Sequence, residues 1–254
     1  MQRTESKMKI ELRNLRLEDF RGLNAAMEKV YAPMGGDEWK EEEIERLLDI
    51  FPDGQLCVIV DGVVAACALS LIVDYRRFGD EHTYLQITDN YQFTTHDPKG
   101  DVLYGIELFV HPKYRGMRLG RRLYDARKEL CENLNLRAIM AGGRIPNYKN
   151  WSDKLTPRQY IDKVKSRDLY DPTLTFQLAN DFHVRKILRN YLPEDSESKE
   201  YAALLEWNNI YYEEAEKLIN APKEVVRVGL VQWQMRLFRD FDALVEQMEY
   251  FIDA

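Results

Sequence analysis

In the stretch from Val102 to Leu134 the spacing of apolar residues changes from that of a strand to that of a helix, and a basic turn with two glycines marks the change. Val102, Tyr104, Ile106, Leu108 and Val110 alternate with Leu103, Gly105, Glu107 and Phe109. That period, in β-forming residues, predicts a strand covered on both faces. Pro112 ends it, having no N–H for the ladder. From there Leu119, Leu123, Ala126, Leu130 and Leu134 fall on one helical face, with Arg121, Arg122, Asp125, Lys128, Glu129 and Glu132 elsewhere. This is a helix packed on a sheet. The turn between them, Arg115-Gly116-Met117-Arg118-Leu119-Gly120, presents free N–H groups at a helix start, which suits a phosphate. Arg115, Arg118, Arg121 and Arg122 would add charge-assisted hydrogen bonds to a diphosphate.

Strand, V-x-P-x-Y-R-G-x-x-L-G, then helix resembles the pyrophosphate-binding signature of the GNAT superfamily of acyl-CoA-dependent N-acyltransferases, R/Q-x-x-G-x-G/A. Arg115 matches its first position and Gly120 its last, whereas Arg118 stands where the family has glycine. The resemblance implies an α/β (α+β) fold: a mixed, mostly antiparallel central sheet flanked by helices, with two central strands diverging. It implies acetyl-CoA (coenzyme A) as co-substrate, held by Arg115, Gly116, Met117, Arg118, Leu119, Gly120 and Arg121. Pantetheine would be met by main-chain N–H groups of Leu108, Phe109 and Val110, and Asn180 is a further coenzyme contact. Through Asn209 the chain also resembles the N-terminal half of bacterial proteins that join such a domain to a nitrilase-type carbon–nitrogen hydrolase.

Composition narrows the partners. With 254 residues, 45% hydrophobic, the chain can bury a sizeable core. No run of about eighteen apolar residues occurs, and the start lacks a secretory pattern, so a cytoplasmic location is expected. A net charge of −7 argues against nucleic acid or an anionic membrane and favours a cationic amine as acceptor. Cys57, Cys67 and Cys131 read as buried thiols. His82, His96, His111 and His183 show no metal-ligand spacing, and no metal is expected.

Along the chain, 8–17 reads as a strand, 18–31 and 40–51 as helices, and 55–60 with 63–73 as a hairpin around Asp61-Gly62. A long irregular section, 74–101, follows and is the expected cover of the acceptor site. Leu136 to Ala141 reads as the diverging strand, and Thr156-Pro157 and Asp171-Pro172 as starts of two helices. Val184 to Leu192 and Tyr201 to Trp207 read as the last strands. Residues 1–222 form the expected acyltransferase domain. Residues 223–254, including VVRVGLVQWQM, resemble the truncated start of a hydrolase domain; that chemistry needs a glutamate, a lysine and a cysteine together, and after Val225 there is no lysine and no cysteine, so no hydrolase activity is expected of them. Too short to bury a core, this extension must dock, pair with a second copy into a homodimer, or stay loose.

The chemistry implied is direct transfer of an acetyl group from the thioester to the amine of a small molecule or peptide. Glu107, a carboxylate in an apolar strand, is the expected general base, because burial raises its pKa; His111 is the runner-up. The family's acid is a tyrosine in the helix after the diverging strand, where this sequence has Gln177. Tyr170, Tyr148 or solvent would then protonate the thiolate. The alternative is a non-catalytic acyl-CoA-binding module that regulates a carbon–nitrogen hydrolase.

Overall fold

The computed structural model of the chain describes residues 8–31, 39–193 and 195–214. The expected extension at 223–254, and any pairing through it, lies outside them. Seven strands form one sheet: β1 (Ile10–Asn14), β2 (Leu56–Val60), β3 (Val63–Val73), β4 (Val102–Val110), β5 (Ala138–Arg144), β6 (His183–Leu188) and β7 (Ala202–Asn208), in the order β1-β2-β3-β4-β5-β7-β6. All neighbours are antiparallel except β4 and β5. The β2–β3 hairpin turns on Asp61 and Gly62, both at positive φ as the right-handed twist of the strands requires.

Helices α1 (Phe20–Tyr31) and α2 (Glu41–Ile50) cover one face, burying Leu23, Met27, Ile44 and Leu47 against Leu69, Leu71 and Tyr104. The section expected to be irregular contains a short helix, α3 (Tyr84–Thr88), set by a capping box between Thr83 and Gln86. Helices α4 (Leu119–Asn133), α5 (Pro157–Lys165) and α6 (Pro172–Leu178) cover the other face. Thr156 and Asp171 cap α5 and α6 as their sequence suggests. In α4 the buried residues are Leu119, Gly120, Leu123, Tyr124, Arg127 and Cys131: Leu119 and Leu123 lie inward as expected, Ala126 and Leu130 are half-buried, and Leu134 is exposed.

Two irregularities shape the centre. β4 and β5 pair only from Val102↔Ala138 to Gly105↔Ala141. Beyond that point β5 stays with β7 while β4 stays with β3, so a gap opens between them. In addition, Leu69 pairs with Glu107 while Ser70 pairs with Gly105, which leaves Ile106 as an extra residue. This bulge breaks the alternation expected for β4. Phe109 follows Tyr104 onto the α1 face, and Leu108 and Val110 turn to the α4 face. Among the described residues no helix is long and apolar enough to cross a membrane.

Candidate active site

The basic turn forms at the end of β4. A 3-10 turn at Pro112–Tyr114 leads through Gly116 (φ 84°) to Arg118, which caps α4 at φ 59°, ψ 25°. An arginine thus holds the left-handed conformation that glycine adopts freely, at a cost of roughly 1–2 kcal/mol. The missing glycine therefore does not block the path. The first internal bond of α4 runs from Arg122 N to Arg118 O, so the amides of Leu119, Gly120 and Arg121 have no intrahelical acceptor. Arg115, Arg118, Arg121 and Arg122 are all exposed. None of the four is in an ion pair among the described residues. Gly120 lets the Phe176 ring close in, since a Cβ there would lie 2.8 Å from Phe176 Cζ. Amides, a helix start and unpaired guanidinium groups fit a diphosphate in size and sign.

Glu107 sits halfway along β4, at the gap. Its Oε1 accepts from the Tyr31 hydroxyl (2.6 Å) and the Leu108 amide (2.9 Å), and its Oε2 from Trp39 Nε1 (3.4 Å). Burial raises its pKa above the usual carboxylate range despite those three donors and the nearby charge of Arg127. Tyr31 is pushed well above its ordinary value, first by burial and then by the Glu107 charge. The section after β3 reaches the same place: Trp39 stacks on Phe93 and meets Tyr91 edge-on.

The other expected site residues are distributed as follows. His111 N bonds Ala65 O across to β3, so by alternation Phe109 N also faces β3 and only Leu108 and Val110 N–H groups face the gap. Phe109 is thereby corrected: its amide is spent in the ladder, and its ring packs on Tyr31. His111 accepts from Lys113 N at Nδ1 and borders a cavity of about 420 Å³ that Glu107 does not line. Tyr148 donates its hydroxyl to Leu155 O, a packing role. Tyr170 is 67% exposed just ahead of α6. Asn180 is buried and donates to Phe176 O at the end of α6. Gln177 lies against Gly143, where β5 has parted from β4, with its Oε1 buried and without a partner. Tyr31, Trp39 and Arg127 escaped the sequence reading. An arginine on the apolar stripe of α4 was the one available signal.

In sequence and fold the chain is similar to known proteins. A model of the acetyltransferase (GNAT) family matches residues 24–152. The uncharacterized N-acetyltransferase YkwB of Bacillus subtilis is 32% identical over 208 residues, covering 81% of this chain and 92% of that one. The chain belongs to the GNAT family of acetyltransferases. It is also 38% identical over 252 residues to the probable hydrolase YhcX of Bacillus subtilis, covering 99% of this chain but 49% of that protein; the chain thus spans about half that relative's length. In fold it resembles the loading GNATL domain of CurA from Lyngbya majuscula, with a TM-score of 0.69, 23% identity, and 79% of this chain and 98% of that one covered.

Proposed function

We propose that the chain transfers an acetyl group from acetyl-CoA to a primary amine of a small molecule or peptide, by direct attack on the thioester. One observation carries this reading: a carboxylate of raised pKa lies at the mouth of the β4–β5 gap, bonded to the Leu108 amide, on the strand that ends in the diphosphate-sized turn. Backbone amides and arginines of 115–122 hold the diphosphate. Leu108 N, once released by Glu107, and Val110 N face the gap and are placed to polarise the thioester oxygen. Glu107 takes the ammonium proton from the acceptor. Tyr31 and Trp39 hold the carboxylate in place, and the arriving cation compensates its burial. Gln177 cannot serve as an acid, so the thiolate takes its proton from solvent or from the collapsing intermediate.

A second reading has its own support. The match to half of a probable hydrolase, together with glutamine at the expected acid position, favours an acyl-CoA-binding module that regulates a carbon–nitrogen hydrolase. Thiol release from acetyl-CoA, assayed with polyamines, amino acids and peptides, separates the two. Turnover that is lost in Glu107→Gln while coenzyme A still binds supports transfer. Saturable binding without turnover on any acceptor supports the module.

A further inference from the structure

Arg127 is 2% exposed, in the middle of α4, and among the described residues no carboxylate is within ion-pair reach of it. Its Nε has no hydrogen-bond partner. A buried cation without a direct ion-pair partner is expensive, and an apolar side chain of similar volume is often neutral or better for stability. Packing therefore gives no reason for an arginine here. What the side chain does is specific: one guanidinium nitrogen donates to both Leu69 O on β3 and Glu107 O on β4, each at 2.9 Å. These two residues face each other beside the extra Ile106. Gly105 makes the approach possible, because a Cβ there would lie 2.7 Å from Arg127 Nη1.

Removing the bulge shows what is at stake. With strict alternation Glu107 would share the face of Leu103 and Gly105, which is the face from which Arg127 arrives. The two charges would then collapse into a buried pair, and the carboxylate would leave Tyr31 and Trp39. We propose that Arg127 is a positioning residue: by pinning the bulge through the carbonyls of Leu69 and Glu107, it aims the Glu107 carboxylate at the β4–β5 gap and away from itself. The proposal rests on the reading of Glu107 as the base, and gives that base its orientation. The titratable groups about Glu107 are Tyr31 of α1, Tyr84 of α3, Cys67 of β3 and Arg127 of α4, with Arg144 of β5 close enough to act on Tyr31; Arg127 favours the ionised form of Glu107 itself.

The test uses the full chain with Arg127→Met, Arg127→Lys and Gly105→Ala, following kcat, KM for acetyl-CoA and the pH dependence of kcat. Arg127→Met is expected to lower kcat about a hundredfold, the effect of misplacing a reacting group by an ångström, with KM changed less than about threefold. Its acid limb moves to higher pH, since the cation that favours ionised Glu107 is gone. Arg127→Lys keeps the acid limb near wild type but loses kcat, because an ammonium cannot reproduce the fork. Gly105→Ala, which displaces the guanidinium, behaves like Arg127→Lys. A folded Arg127→Met with wild-type kcat and acid limb overturns the proposal. Where wild type turns over no amine, the reading of function fails by itself. The Leu108 amide resonance then reads Glu107 directly: its titration midpoint should rise in Arg127→Met, and an unchanged midpoint overturns the positioning role. Should Arg127→Met not fold, the Leu108 resonance of Arg127→Lys decides: displacement at an unchanged midpoint supports the role, and a wild-type position overturns it.

Discussion

The end of β4 and its middle are built by different means. At the end, everything that suits an anion lies between Arg115 and Arg122: a glycine, a left-handed cap, three amides and four guanidinium groups. In the middle, Glu107 takes its donors from Tyr31 and Trp39, 76 and 68 positions away in sequence. It takes its face from an extra residue opposite Leu69, and its charged neighbour from α4. The first kind of site is a property of a segment. The second exists only once the sheet has assembled, which is why one was legible from residue order and the other only half so.

Breaking the middle should have the largest effect. Glu107→Gln is expected to lower kcat by about 10²- to 10⁴-fold, the contribution typical of a general base, with the dissociation constant of coenzyme A unchanged by calorimetry. A simultaneous loss of coenzyme binding would mean that the two regions are not independent. Breaking the end comes next. Arg115→Glu with Arg118→Glu should weaken coenzyme A about 10- to 100-fold, at about 1.5–3 kcal/mol for bonds to charged groups. The salt dependence of binding should shrink while kcat at saturation holds; an undiminished affinity would remove the turn from the site.

Two smaller effects sharpen the contrast. Arg118→Gly relieves the left-handed strain and should raise unfolding stability by about 1 kcal/mol in a denaturant titration, while coenzyme A binds somewhat less tightly. No gain in stability would mean that Arg118 does not hold that conformation in solution. The last concerns Glu107 and pH. Burial raises its pKa in the folded state, so its contribution to stability is full below the unfolded carboxylate range and is lost as pH rises through the folded-state value. Glu107→Gln never ionises. Its melting midpoint should match wild type in acid and exceed it on the alkaline side, and a gap of opposite sign would show an unstrained carboxylate.

Particular residues show how far the sequence could be read. Alternation and turn residues located the seven strands of the described residues to within a few positions, because Asp61-Gly62 and the Pro and Gly punctuation act locally. Alternation then misassigned the faces of Leu108, Phe109 and Val110, since a one-residue bulge is a matter of pairing with β3 and leaves no mark in β4 itself. Leu134 was expected inside and is exposed, while Arg127, which the reading of the helix passed over, is buried, because polarity alone does not settle exposure. Tyr170 shows the reverse: a residue type suited to proton donation, on a stretch that the fold leaves at the surface. The five residues of α3 were too few for a period, though Thr83 and Gln86 were there to be read.

The seam between β4 and β5 is only four residue pairs long, Val102–Gly105 against Ala138–Ala141. The sheet is therefore two leaves, one of β1 to β4 and one of β5, β7 and β6, stitched along a short edge and open like a book above it. A guest with amide groups of its own, laid in the fold of that book, would supply the rungs that the two strands deny each other and bind the leaves together. Occupancy should then be felt in the melting behaviour of the whole sheet, well beyond the residues in contact.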